Sequence, residues 1–278
     1  MVTRSDYTPD SVAAARSVLI ELTHLLAEYR DDIVVIGGWV PALLLGPAGQ
    51  DHVGTLDLDL ALDHRALQEP GYQTILGLLL DHGYRPDSRQ PFIFRRDVPV
   101  GERMVTVEVD LLAGEYGGTG RGHRTQPVQD LRARKARGCD LAFELNAEVR
   151  VAGRLPEGGD DVVTVRVASI VPFLVMKGMT LAARIKSKDA YDVYFCVSRY
   201  PGGTERLSEE FRPHLTHRLI QEGLRHIAHQ FASPTALGPK LVADFEEVRD
   251  EEERAFRQRD AYERVNEWLE RLGLGPPD

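Results

Sequence analysis

The sequence predicts an α+β protein: a mixed sheet flanked by helices, then a helical C-terminal bundle, with the change near residue 168. Three observations predict it. Residues 33–63 read as a buried strand, a Gly-Gly turn with a short helix, a loop and a second strand of period two. Residues 104–112 repeat that alternation, and 141–152 with 161–168 read as a hairpin around a Pro-Glu-Gly-Gly-Asp loop. From Ser169 onward the apolar period is helical. Residues 1–168 are accordingly expected as one domain and 169–278 as a second, helical one.

The elements follow in order. Residues 10–30 carry Val18, Leu19, Leu22, Leu25 and Leu26 at helical spacing, with Asp10 or Ser11 as the expected N-cap. After the strand Ile33–Ile36, Gly37 and Gly38 allow a tight turn and close backbone approach to a ligand. Amides at the start of the next helix would then face a bound phosphate, although such a turn is ordinarily just a strand-to-helix connection. Helices are expected over 66–83, 170–186, 186–195, 205–231, 239–257 and 259–272, and a strand over 92–95. The acidic run from Asp244 to Glu253 reads as a solvated helix face.

A length of 278 residues, 42% hydrophobic and 28% charged, suits a soluble protein with a core. Cys139 and Cys196 lack ligand-like spacing, which predicts a reducing, cytoplasmic setting without structural zinc. The polar first ten residues predict no signal peptide, and the apolar run at 33–45 is broken by Gly and Pro, so no membrane span is expected. A net charge of −9 argues against a general nucleic-acid coat and leaves room for a local basic surface.

The chemistry concentrates on the second strand. Alternation sends Thr55, Asp57 and Asp59 to one face and Leu56, Leu58, Leu60 and Leu62 to the other. Two carboxylates about 7 Å apart along a strand can converge on a divalent cation. In the strand Met104–Leu112, Asp110 shares a face with Thr106 and Glu108, and reaches that site if the strand joins the same sheet. Residues 121–137 then reverse the local sign with Arg121, Arg124, Arg132, Arg134, Lys135 and Arg137. Such a run is ordinarily a solvated face; the alternative is a phosphate-contact surface for RNA or nucleotide. Lys177 stands in an apolar helix, with Arg184 seven residues on.

GGW followed by TLDLD resembles the signature of polymerase-beta-type nucleotidyltransferases. Downstream, Met176-Lys177, Leu181-Ala182 and Arg184, then Lys188-Asp189-Ala190-Tyr191-Asp192-Val193-Tyr194, resemble motifs of the abortive-infection nucleotidyltransferases, the toxins of type IV toxin–antitoxin systems. The likeness covers roughly residues 33–196. It implies a polymerase-beta-like core with the helical domain completing the active site, and transfer of a nucleoside monophosphate from a triphosphate to an acceptor hydroxyl. The implied acceptor is RNA, at the tRNA 3′ end; the implied cofactor is Mg²⁺ or Mn²⁺, and a cognate antitoxin protein is a further implied partner. Asp57, Asp59 and Asp110 would hold metal, with Asp110 also taking the acceptor proton. Gly37, Gly38, Thr55, Lys177, Arg184 and Lys188 would bind the nucleotide, and Asp189 would orient Lys177 or the ribose. The chain departs from the family where an Arg precedes the aspartates, here His52 or Val53, and where a K-x-D motif is replaced by Val107-Glu108-Val109-Asp110. These departures leave the nucleotide preference open. A small-molecule transferase, of the kind that modifies aminoglycosides, and a non-catalytic nucleotide-binding domain are the alternatives.

Overall fold

The protein is described by a computed structural model over residues 2–115 and 125–275. It is a mixed α+β protein that divides into two compact units, one of residues 7–44 and 54–169, the other of 1–6, 45–53 and 170–278. The sheet and its helices form the first. The expected boundary at 168/169 thus falls one residue early, and residues 45–53, expected in the sheet domain, pack with the C-terminal helices.

In the sheet unit, helix α1 (Pro9–Leu25) starts at Thr8, whose hydroxyl accepts from the Ser11 amide, with Pro9 as the first helical residue. The N-cap therefore lies two residues before Asp10, and the helix ends at Leu25 with a 3₁₀ stretch over Ala27–Asp32. Strand β1 (Ile33–Ile36), helix α2 (Trp39–Leu44) and strand β2 (Asp57–Leu62) follow. Helix α3 covers only Ile75–Asp81, because Pro70-Gly71 breaks the expected helix and Thr74 caps a new start.

The remaining strands are β3 (Arg85–Pro86), β4 (Ile93–Val100), β5 (Arg103–Ala113), β6 (Thr125–Val128) and β7 (Leu131–Lys135). Helix α4 (Leu141–Glu144) replaces the first residues of the expected hairpin strand, and the hairpin itself is β8 (Asn146–Arg154) with β9 (Asp160–Ala168). The sheet runs β3-β4-β5-β2-β1-β9-β8, and β7 also pairs with β5 and with β6. It is mixed: β2 is antiparallel to β1 and parallel to β5, and β1 is parallel to β9.

β2 is central, and its alternation decides what each face does. Leu58, Leu60 and Leu62 are buried, and Leu60 shares a cavity wall with Leu19 and Leu22 of α1, so that helix covers the leucine face. Burying three leucines is worth about 1.5–3 kcal/mol each relative to exposure. The aspartate face is thereby turned the other way.

The second unit holds α5 (Ile170–Ala183), α6 (Ser187–Arg199), α7 (Gly203–Phe211), α8 (Arg218–Gln230), α9 (Leu237–Phe245) and α10 (Glu251–Arg271). One expected helix over 205–231 is two, since Pro213 cannot sit mid-helix and occupies a 3₁₀ turn. The acidic run is not one helix face. Asp250 caps α10 by accepting from the Glu253 amide, with Glu251–Glu253 in its first turn, where carboxylates favour the helix dipole. Phe211 and Trp268 meet edge to face at 5.1 Å in the core. None of the described helices is long and apolar enough to cross a membrane.

Helices α5 and α8 cross at Gly178 and Gly223. A Cβ on Gly223 would lie 2.8 Å from the Val175 carbonyl oxygen and 2.9 Å from its Cα, so backbone meets backbone. Gly223→Ala should lower the denaturant midpoint, because overpacking against rigid backbone costs about 1–3 kcal/mol and the gain in helix propensity returns only about 1. A midpoint at or above the parent's would show that the helices separate freely.

Candidate active site

Each unit carries one cluster of sequence-predicted residues. In the sheet unit, β2 and β5 pair so that Asp59 lies opposite Asp110 and Asp57 opposite Glu108. Parallel neighbours in register share a face, so Asp57, Asp59 and Asp110 stand on the polar side of strands about 4.8 Å apart. The pairing that the sequence left conditional is present.

Gly37 has φ +68°, a conformation favouring glycine, and its missing Cβ would fall on the Asp59 carboxylate. The turn after β1 is therefore built against Asp59. Helix α2, beginning after Gly38, has only six residues and does not make an anion site of its own. The Thr55 hydroxyl, expected at a phosphate, donates to the Asp57 carboxylate and fixes its orientation.

Asp110 forms an ion pair with Arg134 of β7. That strand runs parallel to β5 with Arg134 opposite Leu112, which puts the guanidinium on the carboxylate side. Of the basic stretch, Arg121 and Arg124 lie outside the described residues. Arg132 is exposed, Lys135 is half-buried, and Arg137 pairs with Glu115 at 2.9 Å. The run is thus not a uniform solvated face. Among the described residues no group of three His, Cys, Asp or Glu is gathered as a metal centre. Asp57 and Asp59 nevertheless offer the hard oxygen donors that Mg²⁺ or Mn²⁺ takes, and Asp110 joins them if Arg134 gives way.

The helical unit buries a charged network. Lys177 Nζ lies 2.7 Å from both Asp189 Oδ1 and Asp192 Oδ2, and Lys188 Nζ lies 2.9 Å from Asp192 Oδ1. Arg184 approaches Asp189 at 3.2 Å, and His52 Nε2 donates to Asp192 at 2.9 Å. Lys188, Asp189 and Asp192 are 3%, 1% and 0% exposed. Burial costs Lys177, Lys188, Asp189 and Asp192 solvation, so breaking a pair among these four costs about 3–5 kcal/mol, whereas Arg184 is exposed. Lys177, expected at a triphosphate, is held here between two carboxylates, those of Asp189 and Asp192. Helix α5 stops at Ala183, one residue short of Arg184, which leaves that side chain able to reach Asp189.

The chain matches no known family model, no curated protein and no solved structure. What these clusters do therefore rests on their chemistry.

Burial alone would raise the Asp192 carboxyl, but Lys177, Lys188 and His52 hold it well below the usual range. Burial likewise works against ionised Asp189, and Lys177 with Arg184 overcomes it. Lys177 is driven down by burial and more strongly up by Asp189 and Asp192, so it stays charged. His52 goes the other way: burial and then Lys188 push it down to about 4, against the pull of Asp192. A neutral ring with its proton on Nε2 satisfies Asp192 without adding a third charge to that carboxylate. Sequence reasoning placed His52 only as a family departure, and an isolated histidine gives no sign of its partner 140 residues away. Asp192, quoted in the motif without a role, could have been found as the i+4 neighbour of Lys188 on one helix face.

His52 sets a pH window. The unfolded ring takes its proton near pH 6.5, the folded one only near pH 4, so between these values the unfolded state binds more protons and stability falls as pH falls. The slope from this group is up to about 1.4 kcal/mol per pH unit. Asp189 and Asp192, whose folded values are depressed, add losses only once the pH drops below about 3.8. Denaturation of His52→Gln across pH 4–7 should show a flatter slope than the parent; identical slopes would mean the ring is charged when folded.

Proposed function

We propose that the protein is a divalent-cation-dependent nucleotidyltransferase that moves a nucleoside monophosphate from a nucleoside triphosphate to an acceptor hydroxyl. The observation that carries this reading is the in-register pairing of Asp59 with Asp110, with Asp57 on the same face and Gly37 closed on Asp59. Two or three carboxylates on one face of the sheet beside a glycine turn suit a reaction whose demand is positioning and charge neutralisation.

In this reading the acceptor oxygen forms a bond to the α-phosphorus, the bond from that phosphorus to the β-phosphate bridge oxygen breaks, and pyrophosphate leaves. The acceptor proton passes to Asp110. Asp57, Asp59 and Asp110 would together hold the cation, and Thr55 keeps Asp57 in place. When bound, such a cation neutralises charge on the phosphates. Lys177 is the more exposed of the two network lysines, and Asp189 and Asp192 hold it charged. Arg184 and Lys188 sustain the same network.

The proposed acceptor is RNA at its 3′ end, with tRNA as the substrate class. The cell would then need an antitoxin partner to restrain it. Exposed Arg132 and half-buried Lys135 supply the phosphate contacts. A second reading, a small-molecule acceptor, is favoured by one observation: Arg134 and Arg137 are both paired with carboxylates.

Incubating the protein with each labelled triphosphate, Mg²⁺ and either total tRNA or an aminoglycoside panel tests both. Asp57→Asn and Asp59→Asn should lose transfer by about 100-fold or more while melting close to the parent, because their face is not the core. A variant with near-parent activity would sink the assignment.

For an RNA acceptor, binding should weaken with salt by about 0.7 log units per decade for each phosphate contact on a single strand. The double variant Arg132→Ala, Lys135→Ala should flatten that dependence. An unaltered slope, together with labelled aminoglycoside, would move the acceptor to the small-molecule class.

A further inference from the structure

The guanidinium of Arg134 is placed more elaborately than an ion pair requires. One Nη nitrogen engages Asp110, and Cζ lies over the Phe92 ring, 5.7 Å from its centroid. The Phe92 carbonyl accepts from the Leu111 amide at 2.9 Å, which ties that ring to the strand carrying Asp110. Yet Arg134 Nε is buried and meets no acceptor among the described residues. A buried donor left unmade is costly, so the fork is positioned with one arm unused. Arginine's fork matches phosphate oxygens in pairs, and stacking on an aromatic ring holds its plane while partners change.

We propose that Arg134 is a phosphate-binding residue with two partners in turn. It pairs with Asp110 while no divalent cation is bound, and with a phosphate of the nucleoside triphosphate once the cation takes Asp110. The inference rests on the nucleotidyl-transfer reading above. A divalent cation on Asp110 competes with the guanidinium for the carboxylate's charge, so its arrival loosens the arginine as an anion enters beside it. The residue thereby couples nucleotide binding to metal binding, and keeps Asp110 neutralised in their absence.

Calorimetry on the full chain with Mn²⁺ alone, then with Mn²⁺ and each ribonucleoside triphosphate, tests this without turnover. Arg134→Gln should bind Mn²⁺ roughly tenfold tighter than the parent and the triphosphate roughly tenfold more weakly, a coupling in the ordinary range for linked sites. Arg134→Lys keeps the charge and loses the fork, so its Mn²⁺ affinity should stay near the parent's while triphosphate affinity falls. If the glutamine variant does not fold, that loss in the lysine variant decides. Unchanged Mn²⁺ affinity in a folded Arg134→Gln, unchanged triphosphate affinity in either variant, or weakening confined to a short single-stranded RNA would overturn the proposal. Should the parent itself bind neither Mn²⁺ nor any triphosphate, the transfer reading falls with it. Where the parent binds both and the variants match it, only the role of Arg134 falls.

Discussion

The pleat of β2 is the constraint on which the sheet unit depends. It lies between β1 and β5, and its leucines are held under α1. A slip of one residue would put Asp57 and Asp59 beneath the helix and the leucines in water, which no local adjustment could repair. The same register sets Asp59 opposite Asp110 on one side and opposite Ile36 on the other, next to the Gly37 turn. Thus one hydrophobic requirement positions groups from three separate stretches of chain.

The helical unit solves a different problem. Lys188, Asp189 and Asp192 are buried and Lys177 nearly so, and they hold their positions by mutual neutralisation, while Arg184 reaches Asp189 from the surface. Asp192 is shared among Lys177, Lys188 and His52, and Asp189 between Lys177 and Arg184. The carboxylates on β2 stay partly open and can accept a ligand at low desolvation cost. Rigidity is found in one cluster and accessibility in the other.

Much of the sheet was legible because alternation over β2 and β5 is strict, and a buried face leaves only one register. The pairing of β2 with β5 was harder, since period says which face a residue takes and nothing about its neighbour strand. Helix breaks were missed at Pro70-Gly71 and at Pro213, where apolar spacing continued through residues that cannot remain helical. The start of α10 was hidden by its own signal: an Asp cap followed by three glutamates reads as a charged surface until the preceding helix is seen to end at Phe245. The ion pairs of Arg134 and of His52 depend on tertiary contact and leave no periodic trace.

Residues 45–53 leave the sheet unit and return to it between the glycine turn and the aspartate strand. During synthesis this loop emerges long before the helices with which it packs, and the ring of His52 must wait for Asp192, 140 residues later. Until then a buried-type histidine stays in water and the link between β1 and β2 lacks its anchor. The two units therefore mature together in time: a nascent chain ending at the sheet has the aspartates but an untethered connection between its two central strands.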